Sequence, residues 1–207
     1  MPDDIDDVCP APRPAHDASK EPKGWYVPHG LPHFDSPEVV QEITFRLAGA
    51  LPRAVAAARK DETFAAHRRR IEATLDGGHG ACLLRDPALA GIVQAALLHG
   101  VGIKYELFSW VVMPNHVHTL IAPKPGNRLA DVVQAWKSWT SKAINRDRGA
   151  SGSVWQREYF DRFIRDERHF AAAVAYIEEN PVKAGLAAKS GDWRFGSAWE
   201  RARPKRL

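Results

Sequence analysis

Hydrophobic and polar positions change period several times along this chain, and each change marks a boundary between elements. From Gln41 to Leu47, Ile43, Phe45 and Leu47 alternate with polar neighbours, which predicts a strand with one face in the core, ended by Pro52. Residues 53–76 and 87–99 are alanine-rich. Ile71 and Leu75, then Leu89, Ile92, Val93, Ala96 and Leu97, recur at spacings of three and four, so two helices are expected there. DGGHG makes the turn between them, and Asp86 before Pro87 is an N-cap followed by a proline in the first turn. KYELFSWVVM (104–113) and HVHTLIA (116–122) predict two strands joined at Pro114 and Asn115 as a hairpin. Leu129, Val132, Val133, Trp136, Ala143 and Ile144 form the apolar stripe of a helix running from Leu129 to about Arg146. Gly149 and Gly152 break the chain before a short strand at Phe163 and Ile164. A last helix from Glu167 to about Asn180 buries Phe170, Val174 and Ile177, and Pro181 is expected to stop it.

No internal repeat is visible. The order strand, helices, hairpin, helix, short strand, helix predicts an α+β domain in which helices cover an antiparallel sheet. Two stretches fall outside that frame. WYVPHGLPHFDSPE is proline-rich and is expected to run extended over the surface. Residues 1–24 combine prolines and acidic residues with few large apolar side chains, so they bury too little to offset their ordering entropy and are expected to be a disordered tail. One domain over 25–200, with a basic tail at 201–207, follows from the length of 207 residues and a hydrophobic content of 44%.

Charge sharpens the division. Residues 1–24 hold six acidic and three basic side chains, whereas the segment from Arg128 to the C-terminus holds sixteen Lys or Arg against ten Asp or Glu, interspersed with tryptophans and tyrosines. Such a balance suits a polyanionic partner, although a solvated basic helix surface gives the same count. Cys9 and Cys82 are far apart and show no metal-ligand spacing, which excludes a disulfide framework or zinc finger and favours a reducing cytoplasm. No run is long enough for a membrane span, and the acidic start is unlike a secretory signal.

The chemistry concentrates in two places. His116 and His118 are two apart on an apolar strand, so both imidazoles project from one face while Val117 points to the core; they form either a metal-ligand pair or two hydrogen-bonded histidines. Tyr176 and Asn180 are four apart on the last helix and share a face, where they serve as a functional pair or as a core tyrosine and a helix stop. A metal-dependent nucleotide hydrolase with an HxH pair is disfavoured, because Leu120 stands where a third alternating histidine would be and Tyr176 would have no role.

The segments WVVMPNHVHTLIAP, WKSWTSKAINR, VWQREYFDRFIRD and YIEENPVKAGL, in this order, resemble the REP-associated tyrosine transposases, a branch of the single-tyrosine HUH transposases of bacterial insertion sequences. The resemblance spans roughly residues 25–200, with an acidic N-terminal tail and a long segment near 54–80 as departures. It implies a ferredoxin-like sheet that presents His116 and His118 as metal ligands, Tyr176 as nucleophile and Asn180 as third ligand. It further implies a DNA strand-transferase that forms a 5′-phosphotyrosine on single-stranded or hairpin DNA, acting as a monomer, with the dimer of insertion-sequence relatives as the alternative. A catalytically silent, domesticated protein that binds repeated palindromes is the competing expectation; the intact His, His, Tyr and Asn set argues against it.

Two imidazoles and an amide oxygen, without thiolates, favour Mg2+ or Mn2+ over zinc. Lys137, Lys142, Arg146, Arg148, Arg157, Arg162 and Arg165 are candidate phosphate contacts, and Trp136, Trp139, Trp155 and Tyr159 candidate base platforms; taken singly, each is better explained as a solvated surface residue, a local ion-pair partner or a core anchor. Glu158 is a candidate auxiliary acid or a surface ion-pair partner. The expected location is the bacterial cytoplasm, on the nucleoid when DNA is bound.

Overall fold

The structure is a computed structural model that describes residues 23–28, 31–57 and 59–203. The acidic tail expected over 1–24 therefore lies outside the described residues, apart from Lys23 and Gly24.

A four-stranded antiparallel sheet is built from β3 (Gln41–Arg46), β4 (Tyr105–Val112), β5 (His116–Pro123) and β6 (Phe160–Phe163), in the spatial order β4-β5-β3-β6. Helices α1 (Arg53–Ala56), α2 (Phe64–Asp76) and α3 (Pro87–His99) connect β3 to β4, and α4 (Leu129–Asp147) connects β5 to β6. This is the βαββαβ topology of a ferredoxin-like domain, with α5 (Glu167–Lys183) added behind the last strand and a short α6 (Ser197–Ala202) closing the chain. The fold class expected from the sequence is observed.

Alternation in the central strands decides which residues form the core and which the site. Ile43, Phe45, Val117, Ile121, Trp110 and Val112 project to one face and join Leu89, Val93, Leu97, Val132, Val133 and Trp136 of α3 and α4 in the main core. Two hydrogen bonds tie that layer together: Trp136 Nε1 donates to the Tyr105 hydroxyl at 2.9 Å, which donates to Leu97 O at 2.8 Å. Trp155 Nε1 donates to Thr140 Oγ1 at 2.8 Å, so Trp136 and Trp155 are core anchors rather than base platforms.

The opposite face carries Val111, Met113 and Leu120, on which α5 packs through Ala173 and Ile177. Every residue of β5 is buried, because the sheet has helices on both sides. The histidines of that strand are consequently sealed inside, not half exposed.

Local signals account for most boundaries. Asp86 caps α3, accepting from Ala88 N at 2.9 Å with Pro87 in the first turn. Thr63 caps α2 and Asp166 caps α5 in the same way. The DGGHG turn approaches the backbone of residues 49–50 so closely that a Cβ at Gly80 would lie 2.5 Å from Gly49 O and Ala50 O.

Four expectations change. The region 53–76 is two helices, a single turn and then α2. WYVPHGLPHFDSPE is not simply extended: β1 (Gly24–Tyr26) and β2 (His33–Asp35) pair antiparallel, and His33 and Asp35 are buried. Pro181 does not stop α5, which runs to Lys183; a proline in the final turn forfeits only its own N–H bond, and Ala184 N and Leu186 N still close on Asn180 O and Pro181 O. Arg201 and Ala202, placed in the basic tail by the sequence, belong to α6, and 204–207 lie outside the described residues.

Candidate active site

His116 and His118 project from β5 toward α5 and the C-terminal end of α2. Both are fully buried, with rings 4.7 Å apart and Nε2 atoms separated by 3.0 Å. The orientation of His116 follows from Asn115, whose Nδ2 donates to Leu75 O and His79 O, both at 3.1 Å. Its Oδ1 therefore faces His116 Nδ1 at 2.6 Å and, as an acceptor, requires the proton to be there. A neutral His116 then turns an Nε2 lone pair toward His118. His118 Nδ1 is held by Thr44 Oγ1 on the neighbouring strand at 2.9 Å. Outer hydrogen bonds of this kind commonly orient metal-ligating histidines.

A third donor was missed by the sequence analysis. Asp76, the last residue of α2, places Oδ1 3.4 Å from His116 Nε2, and donor atoms of Asp76, His116 and His118 all lie within 4.8 Å of one another. Two donors at right angles on an ion about 2.1 Å away are roughly 3.0 Å apart, so these separations fit one small divalent cation. Arg68, Glu72 and Asp76 form a charged row at i, i+4 and i+8 on a helix whose Ile71 and Leu75 are core, a pattern that by itself reads as an ordinary solvated helix face.

Protonation favours cation binding. Burial, reinforced by His116, pushes the His118 imidazole well below the usual histidine range, so it is a neutral ligand near pH 7. Burial raises the Asp76 carboxyl, but the neighbouring His116, His118 and Asn180 side chains outweigh it and the net direction is down.

Tyr176 and Asn180 reach the same place from α5. The Tyr176 ring meets His118 edge-on at 5.4 Å, and the Lys183 ammonium lies over the ring at 5.2 Å. Burial, with the nearby carboxylates of Glu72, Asp76 and Glu42, pushes the phenol far above its usual range, so it is protonated at rest. Asn180 is fully buried. Its amide helps hold the Asp76 carboxyl down, yet neither amide atom has a well-formed hydrogen bond among the described residues. Such an unsatisfied group in a packed interior is a cost that a ligand relieves.

Beneath Tyr176, the fully buried Glu42 binds Arg68 at 3.1 Å and Arg162 at 2.6 Å, and Arg68 also binds Glu72 at 2.7 Å. Arg162 is thus tied by an ion pair while remaining exposed on one side. A cleft of about 620 Å³ opens beside Tyr176, lined among others by Trp25, Arg68, Arg69, Arg162 and His169.

The other predicted phosphate contacts are scattered. Lys142, Arg146, Arg148, Arg157 and Arg165 are exposed. Lys137 is not: its Nζ donates to Arg157 O at 2.6 Å, and burial lowers it to about 8. Lys137, Lys142 and Arg157 line a second groove of about 440 Å³ with Ser141, Asn145 and Gln156, away from Tyr176. Trp139 is exposed over the α3–α4 side. Tyr159 stacks on His33 at 4.3 Å, and Glu158 is 3.8 Å from the same histidine, so neither joins the His116–His118 group.

Residues 100–180 match the family model described as Transposase IS200 like. The REP-associated tyrosine transposase of Escherichia coli K12 is 29% identical over 93 residues, which cover 45% of this chain and 54% of that protein. A Haemophilus influenzae relative is 26% identical over 103 residues, or 45% of this chain and 58% of its own length. The chain thus spans little more than half the length of the curated relatives it matches. The solved structure of a REP-associated tyrosine transposase bound to a REP hairpin shares the fold, with a TM-score of 0.55 at 18% identity over 83% of this chain and 84% of that one.

Proposed function

We propose that this chain, whose residues 100–180 match the family model described as Transposase IS200 like, cleaves and rejoins single-stranded, hairpin-containing DNA through a covalent bond to Tyr176. The observation that carries this reading is the convergence on one face of the sheet of the Asp76, His116 and His118 donors with the Tyr176 ring, 5.4 Å from His118.

His116 and His118, with Asn180 and Asp76, would hold a divalent cation, Mg2+ or Mn2+ by the mix of nitrogen and oxygen donors. When bound, the cation polarises a phosphate oxygen and offsets the carboxylate field that keeps the Tyr176 proton in place. Asn115 and Thr44 fix the two imidazoles. The α5 helix brings the phenol to the phosphorus; its oxygen gives its proton to water and attacks, forming the Tyr176–phosphorus bond as the bond to the 3′-oxygen breaks and that oxygen takes up a proton from water. The 3′-end leaves as a hydroxyl and the 5′-phosphate stays on the tyrosine. The phosphodiester energy is thereby kept for joining to another 3′-hydroxyl.

Lys142, Arg146, Arg148, Arg157, Arg162 and Arg165 contribute phosphate contacts, so binding weakens as salt rises. Lys137 acts indirectly, by holding the 157 loop through Arg157 O.

The test uses the full chain, Mn2+ and labelled single-stranded hairpins taken from the palindromes nearest its coding sequence. Wild type forms a denaturant-resistant protein–DNA adduct, and Tyr176→Phe binds the same DNA and forms none. Cleavage without an adduct, or an adduct that persists in Tyr176→Phe, refutes the assignment.

A further inference from the structure

Trp25 is 64% exposed, although it belongs to an ordered strand. Its cross-strand partner is Phe34, with ring centroids 5.2 Å apart, and Phe163 of β6 props it edge-on at 6.0 Å. Phe34 and Phe163 are themselves in contact at 5.5 Å. A hairpin with three-residue strands is marginal on its own. This one is fastened to the sheet edge from its other face: His33 hydrogen-bonds Asp161, Phe34 N donates to Asp161 Oδ2 at 2.9 Å, and Asp35 Oδ1 accepts from Leu129 N at 3.1 Å. Two aromatic rings support the indole while the remainder of its surface stays open.

That surface lines the same cleft as Tyr176, whose wall also carries Arg69 and the half-exposed Arg162, while its carboxylates Glu42, Glu72 and Asp161 are already engaged by Arg68, Arg162 and His33. The cleft, at about 620 Å³, is of a size that takes a small organic group. Building on the strand-transferase reading, we propose that Trp25 is the platform on which an unpaired nucleobase next to the scissile phosphodiester stacks, with Arg69 and Arg162 receiving its flanking phosphates. Unpaired DNA supplies a flat π surface and an anionic group on one covalent unit, which is what an indole beside two guanidiniums matches. An apolar partner would cover the indole but bury Arg69 without a counter-charge. The N-terminal hairpin is thus a substrate-binding element of the active site, and the platform accepts any base because every base has a π-face.

Oligo-dT carrying 5-iodouracil is the probe. Irradiation of its complex with the full chain should cross-link the tryptic peptide Gly24–Arg46 at Trp25. In filter binding, Trp25→Ala should weaken affinity for the unmodified strand by roughly 5- to 150-fold, the range for loss of one stacked base. Trp25→Phe should recover most of it, and both variants should melt with wild type because the side chain is exposed. Cross-links confined to other peptides, or Trp25→Ala binding within twofold of wild type, overturn the platform. Adduct formation by wild type is scored separately: an adduct with unchanged Trp25→Ala binding removes only the platform, whereas weakened Trp25→Ala binding with no wild-type adduct leaves the platform and removes the strand-transferase.

Discussion

Asp76→Asn isolates the electrostatic part of the candidate metal centre, because it keeps the shape of the side chain and one carbonyl oxygen while removing the charge. Asp76, His116 and His118 donors lie within 4.8 Å of one another, so an ion among them is roughly 3 Å or less from the carboxylate. At an effective dielectric constant near 20, a unit charge and a divalent cation about 3 Å apart attract by about 11 kcal/mol. Most of that is cancelled by the water each gives up, and the amide remains a neutral ligand. A net loss of about 2–4 kcal/mol is expected, which is roughly 30- to 1,000-fold in Mn2+ affinity. Isothermal titration of metal-free protein with Mn2+ measures it, and His116→Ala serves as the reference for a missing imidazole. If Asp76→Asn binds Mn2+ within threefold of wild type, the carboxylate is not part of the site and its closeness to His116 is an ordinary ion pair.

Stability should fall as pH drops through the histidine range. His118 is depressed in the folded chain, so the unfolded chain binds its proton first, near pH 6.5; the contribution is whole above that value and is lost below it. Urea unfolding of metal-free protein at about pH 7.5 and about pH 5.5 should show the loss, and His118→Gln should flatten it; an equal slope in that variant refutes the origin. Glu42→Ala strips a fully buried acceptor from Arg68 and Arg162, and should destabilise the fold by about 3 kcal/mol in the same assay. A change within experimental error would mean that Glu72 alone suffices for Arg68.

The sheet and its helices were legible because their periods are clean: Ile43, Phe45 and Leu47 alternate, and Leu129 to Ile144 keep one stripe. The HxH pair was legible as a shared strand face, and Tyr176 with Asn180 as a shared helix face. Asp76 was not, because a carboxylate at a helix end before glycines looks like any solvated terminus; only the tertiary placement of α2 turns it inward. The N-terminal hairpin was hidden for a related reason. Its strands are too short for a period to register, and what orders them is Asp161, more than 120 residues away. The partners of Lys137 and Arg162 were not legible, since a sequence does not show which carbonyl or carboxylate will claim a cation.

Segment 195–197 bears on how the chain keeps to itself. β4 is an edge strand, and an open edge is a template for another strand. Here Val112 N donates to Phe195 O at 2.8 Å, Val111 bridges Gly196, and Trp110 N donates to Ser197 Oγ at 3.2 Å. The last stretch of the described chain therefore works as a selvedge, binding off a fabric that would otherwise go on being woven. Cutting the chain before Phe195 should leave Tyr176 and the two histidines in place, yet produce a protein that clumps in proportion to its concentration.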